Sequence, residues 1–219
     1  MNTKLSFLLL GLLAFSFLQC KTDSEGISES TALPYLGNWH VDSTMVDGKV
    51  AYDTVYHEIA DFRFINQLGD TISNSDVTGK VYVADFFFTT CPTICPIMKK
   101  EMLRVYEQYN GNPDFVILSH SIDPTHDTQE VLKDFAKKLG IPDAKTWNFL
   151  TGDQEKIFEI GQTSYLTTAM ADQNEAGGFL HSGAFVLVDQ QGRIRGVYDG
   201  TKSDQVDRLL QDIPKLLSQ

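Results

Sequence analysis

Val81-Tyr82-Val83-Ala84-Asp85-Phe86-Phe87-Phe88 runs through Thr89-Thr90 into Cys91-Pro92-Thr93-Ile94-Cys95-Pro96. The first eight residues are almost continuously apolar and lack the alternation of a half-buried strand. Such a run predicts a central strand buried on both faces. Beyond it, Met98, Met102, Val105 and Tyr109 recur at i, i+4, i+7 and i+11, which predicts an amphipathic helix beginning near Pro96. Proline suits a first helical turn, where no N–H is needed. The two cysteines therefore sit at a strand-to-helix junction.

Outward from this junction the pattern alternates. Phe115–Ser119 reads as a second buried strand, and Thr128–Leu139 as a helix stopped by Gly140 and Pro142. Trp147–Leu150 is a short strand, and Asp153 caps a helix to Ile160. Ala184–Val188 and Arg193–Tyr198 flank the turn Asp189–Gly192, and Ser203 caps a last helix with Val206, Leu209, Leu210 and Ile213 on one face. Upstream, Phe62–Ile65 and Asp70–Ser73 read as a hairpin, and Asp47-Gly48 marks a turn between β-like stretches in residues 38–60. The order predicts an α/β sandwich over residues 61–219, with a central mixed sheet and helices on both faces. Residues 34–60 form an N-terminal β extension.

The chain has 219 residues, with 42% hydrophobic and 21% charged. This composition excludes a wholly disordered chain. Eighteen Lys and Arg against 29 Asp and Glu give a net charge of −11. Recognition of a phosphate backbone needs clustered cations, so no nucleic acid partner is expected.

Lys4 is followed by Leu5–Leu18 without a charge, ending at Gln19-Cys20. The run is short for a bilayer span and reads as the apolar core of a signal peptide, residues 1–19. Cys20 stands where a bacterial lipoprotein carries its lipid, and residues 20–33 read as the lipidated cysteine with a flexible Ser/Glu-rich tether. The residue before such a cysteine is usually small, and here it is Gln19, so an uncleaved N-terminal anchor is the alternative. Ordinary secretion is a third reading; all three export the domain, and the first two hold it at the membrane, on the periplasmic or cell-envelope face.

With Cys20 lipidated, Cys91 and Cys95 remain as a pair. A loop this short gains little from a disulfide, because the stabilisation grows with loop length. Redox chemistry or metal binding explains the pair better. A strand end is where α/β folds present sites, and a helix N-terminus favours thiolate over thiol. Spacing of four also lets both sulfurs converge on one ion or on each other.

The chain resembles the Sco/SenC family, copper-binding proteins of thioredoxin-like fold that help assemble cytochrome c oxidase. The resemblance is carried by Thr90–Pro96 after an aromatic strand, by Ser121–Thr128, by Leu150-Thr151-Gly152, and by His181-Ser182 before a strand ending in Asp189–Gly192. Phe64–Gln67 matches the opening of the family domain. In the family an acidic residue commonly precedes the histidine, whereas here it is Leu180.

The resemblance implies a redox-active dithiol at Cys91 and Cys95 and a copper site for Cu(I) and Cu(II) made by Cys91, Cys95 and His181; Asp123 reads as supporting that site or capping a turn before Pro124. Two thiolates and an imidazole are a soft set suited to copper, whereas structural zinc wants four ligands. Implied partners are the copper-site subunit of cytochrome c oxidase and a copper donor or thiol reductant. The implied function is delivery of copper to the dinuclear copper site of the oxidase, or its preparation. The alternative is a thiol–disulfide oxidoreductase that reduces the target cysteines with little direct copper transfer.

Remaining histidines and methionines read as structural. His40 and His57 are expected at the surface, His120 near a strand end and His126 in a solvated loop, with Met98 and Met102 in the core. Gly177-Gly178, upstream of His181, predicts a mobile loop.

Overall fold

The structure is a computed structural model that describes residues 32–219. The expectations for residues 1–19, for Cys20 and for nearly all of the 20–33 tether lie outside the described residues. Among the described residues, no helix is long and apolar enough to cross a membrane.

An antiparallel ribbon comes first, β1 (Trp39–Val46) with β2 (Lys49–Tyr56). Asp47 and Gly48 turn it with φ of 50° and 76°, the two-residue geometry whose twist matches the flanking strands. A hairpin of β3 (Arg63–Asn66) and β4 (Thr71–Ser73) leads into the short helix α1 (Asn74–Val77). Then follow β5 (Val81–Phe87), α2 (Cys95–Tyr109), β6 (Phe115–Ser121), α3 (Gln129–Lys138), β7 (Trp147–Thr151) and α4 (Gln154–Glu159). The last helix continues as a π-helical turn, Ile160–Ser164. A small antiparallel pair, β8 (Ala169–Ala171) and β9 (Phe179–His181), precedes the hairpin β10 (Ala184–Val188) and β11 (Ile194–Asp199) and the final helix α5 (Ser203–Leu217).

Seven strands make one mixed sheet in the order β11-β10-β5-β6-β7-β3-β4. β5, β6 and β7 are parallel, and the outer strands join antiparallel. Every residue of β5 and β6 is buried, as expected of parallel strands covered on both faces.

On one face Asp85, Phe87, Ser119, Trp147 and Phe149 meet α2 and α3, with Tyr106 against Trp147 and Phe135 against Phe87 and Phe149. α5 lies beside α2, where the Tyr109 hydroxyl donates to the Leu210 carbonyl. On the opposite face Phe86 and His120 pack with Phe62, Phe64 and Tyr165. The α/β sandwich is thus thioredoxin-like, with its strongest strand at the centre.

Where the chain enters the sheet, it is strapped down. Arg195, buried in β11, pairs with buried Asp189 at 2.9 Å. Its other nitrogens donate to the carbonyls of Leu33 (2.6 Å) and Pro34 (3.1 Å), and its guanidinium lies 4.1 Å from the Tyr35 ring centre. The Leu36 N–H donates to the Ile194 carbonyl at 2.9 Å.

Two local expectations change. Thr128 and Asp153 cap their helices, accepting from the N–H groups of Val131 and Lys156. Ser203 does not cap: it is the first helical residue, and the capping position belongs to Lys202, whose side chain makes no cap bond. Residues 172–178, with Gly177-Gly178, connect β8 to β9. His57 is half-buried, with Nε2 2.7 Å from the Ser164 carbonyl oxygen; His120, as expected, lies near a strand end, next to last in β6, and is fully buried with no partner for either ring nitrogen.

Candidate metal centre

β5 ends at Phe87 in the middle of the sheet, and Phe88 to Ile94 bridge to α2. Cys91 lies in this bridge, its N–H donating to the Phe88 carbonyl at 3.2 Å. Cys95 is the first residue of α2. The sulfurs converge because the bridge folds back over the strand end, not because both lie on one helical face.

His181 closes the group from the end of β9. Its Nε2 lies 3.7 Å from Cys91 Sγ and 3.3 Å from Cys95 Sγ. The three donor atoms all fall within 4.8 Å of one another, and all three residues are buried. Nδ1 faces the Ser182 carbonyl oxygen at 3.3 Å. With the ring proton on Nδ1, Nε2 offers its lone pair to a metal ion; with the proton on Nε2, the ring donates to the sulfurs instead. A backbone carbonyl thus orients the ring, although Leu180 replaces the acidic neighbour.

Packing holds the histidine strand in place. The His181 ring stands edge-on to Phe88, centroids 5.8 Å apart, and Phe88 also meets Phe179 at 5.3 Å. Gly177 allows this approach: its φ is +91°, and a Cβ there would lie 2.7 Å from the Phe88 ring. Phe88 therefore carries the cysteine bridge on its backbone and the histidine hairpin on its ring.

The two thiols differ in acidity. Burial opposes ionisation of Cys91, but hydrogen bonding from His181, Thr93 and Cys95 outweighs it and brings the thiol down to about 6. For Cys95 burial dominates, with the neighbouring Cys91 and Asp85 adding repulsion, so its thiol is held far above the ordinary range. The helix N-terminus does not rescue it. Cys91 is the thiolate at neutral pH, and Cys95 keeps its proton until a metal or a bond to sulfur replaces it. Asp85, buried in β5 and accepting from Ser119 Oγ, is itself lifted by burial to about 7.

Asp123 makes its contacts elsewhere. Its N–H donates to Ser121 Oγ at 3.2 Å, and its carboxylate accepts from the His126 N–H at 3.4 Å. The carboxylate that reaches the cysteine bridge is Asp127, four residues on and fully buried. It accepts from the Thr89 N–H (2.9 Å), the Thr89 hydroxyl and the Ser121 hydroxyl (2.6 Å), and meets His126 Nδ1 at 2.9 Å. Sequence reading passed over Asp127 because an aspartate before Thr128 looks like part of a helix start. The available signal was a carboxylate closing a Ser-x-Asp-Pro turn beside a strand end.

Donors bonded to one small ion at about 2.0–2.3 Å lie about 3.5–4 Å apart in a trigonal arrangement, close to the observed sulfur–nitrogen separations. The set is soft and has three members, which fits a copper ion better than structural zinc with its four ligands. The same two sulfurs can instead bond to each other.

Fold and site together define a class: a thioredoxin-fold protein with a buried dithiol and an imidazole at the end of its central strand. The profile of the SCO1/SenC family matches residues 51–218, and the chain belongs to that family. It is 32% identical to the SCO1 protein homolog of Bacillus subtilis over 168 residues, 76% of this chain and 86% of the relative. Among solved structures, a SCO1/SenC family lipoprotein from Bacillus anthracis superposes with a TM-score of 0.67 at 32% identity, covering 74% of this chain and 95% of that one. BsSco, a member of the Sco family of cytochrome c oxidase assembly proteins in which a disulfide switch was identified, does so with a TM-score of 0.63 at 32% identity, covering 73% and 93%.

Proposed function

We propose that this protein is an exported, membrane-tethered copper carrier that delivers copper to, or prepares, the dinuclear copper site of cytochrome c oxidase. The observation that carries the reading is the convergence of Cys91 Sγ, Cys95 Sγ and His181 Nε2 within 4.8 Å in a buried pocket. Copper is the cargo. The two sulfurs hold Cu(I), and His181 adds the nitrogen that Cu(II) prefers. Loading displaces the Cys95 proton, so a copper donor works against a thiol that is otherwise hard to ionise. Asp127 supports the site through Thr89, and Asp123 shapes the turn that presents Asp127. Family membership supports the oxidase as destination, and the lipoprotein relative supports Cys20 as the lipid-bearing residue.

The test is copper stoichiometry on the reduced chain, with absorption spectra for thiolate-to-Cu(II) charge transfer. One tightly held copper per chain is expected, lost in Cys91→Ser and in Cys95→Ser and weakened in His181→Ala. Tight, stoichiometric copper in either serine variant refutes the site.

The unequal thiols favour a second reading, a thiol–disulfide reductase. The Cys91 thiolate attacks one sulfur of a target disulfide, forming a mixed disulfide and releasing a target thiolate. Cys95 then gives up its proton and attacks Cys91 Sγ, closing the Cys91–Cys95 disulfide and releasing the second target thiolate; two electrons pass to the target. This chemistry needs no imidazole ligand. Normal oxidase assembly in a His181→Ala strain, with failure in a Cys91→Ser strain, selects the reductase over the carrier.

A further inference from the structure

The β1–β2 ribbon takes no part in the site, yet it is the most exposed regular element of the described chain. Its register pairs Trp39 with Tyr56, Val41 with Thr54, Ser43 with Tyr52 and Met45 with Val50. Directly paired residues share a face, so six of these eight side chains form one apolar and aromatic surface. Trp39 is 63% exposed, Met45 69% and Tyr52 75%, and Val41 and Val50 are more than half exposed. Only at its base is this face covered, where Tyr56 stacks on Tyr35 with centroids 4.1 Å apart. The other face is mixed: His40, Asp42, Thr44, Asp53 and Lys49 lie among Val46, Ala51 and Val55, with the two aspartates directly opposite each other. A solitary two-stranded ribbon is marginal in water, and an apolar face of this kind marks an interaction surface.

We propose that this ribbon is an interfacial foot, lying with its Trp39–Tyr52 face at the headgroup boundary of the membrane that holds the chain. The inference rests on the reading of Cys20 as the anchor. Twelve residues, 21–32, separate Cys20 from the strap at Leu33, and so few span at most about 43 Å even when fully extended. The strap of Leu33–Leu36 on β11 ends three residues before Trp39. The foot therefore starts close to the point where the anchored chain enters the domain.

Its chemistry suits a neutral lipid surface. Tryptophan and tyrosine favour the interface between headgroups and acyl chains, whereas a net charge of −11 with one lysine on the ribbon gives no electrostatic draw to anionic lipid. The area argues against a second copy as occupant. Eight residues at about 3.4 Å rise and two strands at about 4.8 Å spacing make a face of roughly 260 Å². A stable protein interface needs about 800 Å² from each partner.

The chain has two tryptophans, and Trp147 is buried, so Trp39 reports the ribbon. The test reconstitutes the membrane-derived chain into phosphatidylcholine vesicles and measures quenching of tryptophan emission by bromine-labelled lipid and by aqueous iodide. Bromolipid should quench the Trp39 share of the emission, and iodide quenching should fall several-fold relative to the chain without vesicles. In Val41→Glu/Tyr52→Glu, which alters only exposed positions, both effects should vanish while copper stoichiometry is unchanged.

A chain that stays with the vesicles while Trp39 remains open to iodide overturns the foot and leaves the anchor standing. Protection that grows with protein concentration in the absence of lipid overturns it in favour of self-association, and protection seen only with added oxidase overturns it in favour of that partner. A chain that washes off the vesicles overturns the anchor; the foot is then decided with lipid in excess, where bromolipid quenching supports it and no quenching overturns it.

Discussion

Removing the Asp127 carboxylate tests how the cysteine bridge is held. In the native structure it accepts from the Thr89 N–H, the Thr89 hydroxyl and the Ser121 hydroxyl, with His126 alongside. Asp127→Ala strands the Thr89 N–H and the Ser121 hydroxyl in a buried space. Each lost acceptor costs about 1–3 kcal/mol when no substitute arrives, so about 2–6 kcal/mol is expected for the two. With a mid-range urea slope of about 2 kcal/mol/M, the unfolding midpoint should drop by about 1–3 M.

Asp127→Asn should cost much less. Its oxygen can take the place of Oδ2 for the Thr89 N–H and Ser121, and its amide can donate to the Thr89 hydroxyl and to the His126 ring. Urea unfolding of the reduced chain gives the stabilities, and titration with copper reads the site. Alanine should weaken copper binding because Thr89 precedes Cys91 by two residues, and asparagine should restore most of it. Equal midpoints for wild type and Asp127→Ala, or an asparagine variant as poor as the alanine, would refute the account.

Burial holds His120 down to about 3, against about 6.5 for a free imidazole. The unfolded chain therefore binds a proton that the folded chain refuses, so stability is full above about pH 7 and declines toward pH 3, by about 4–5 kcal/mol in all. His120→Phe should flatten that decline in acid urea titrations; an unchanged acid limb would exclude His120 as its source. Gly177→Ala forces a methyl against Phe88 at a left-handed backbone position and should cost about 1–3 kcal/mol, together with weaker copper binding through His181. Thermal unfolding and copper titration check it. Alkylation of the reduced protein should modify Cys91 first, with a rate rising through about pH 6, while Cys95 stays unmodified at neutral pH. Mass mapping that finds Cys95 labelled first would reverse the assignment of the two thiols.

Much of the framework is legible in the sequence because periodicity reports burial directly. Val81–Phe88 has no polar face, and the Met98–Tyr109 stripe has one; each pattern admits a single element. Cys91 and Cys95 were legible from their spacing and their place at a strand-to-helix junction, but His181 only through resemblance, since no local pattern links it to residues nearly ninety positions earlier. The rest was hidden for physical reasons. Ser203 and Thr128 look alike as capping residues, but the chain's approach decides which side chain can reach a free N–H. The β8–β9 strands are three residues each, too short for a period to show. His120 sits among aromatic side chains that would suit any apolar residue, and nothing local marks its ring nitrogens as unpartnered. Asp127 acts across space on Thr89, a contact created only when β5 and β6 end side by side.

The strap formed by Arg195 also has a mechanical consequence. Any pull on the chain ahead of Leu33 meets Arg195 before it meets the rest of the domain, and passes through Asp189 and the Leu36–Ile194 hydrogen bond into β11. β11 is the outermost strand, two strands away from β5 and its thiols. Tension is thus taken up at one margin of the sheet, which becomes the fulcrum about which the domain swings. The strand end that bears Cys91 and Cys95 rides on the far side of that pivot, free of the load.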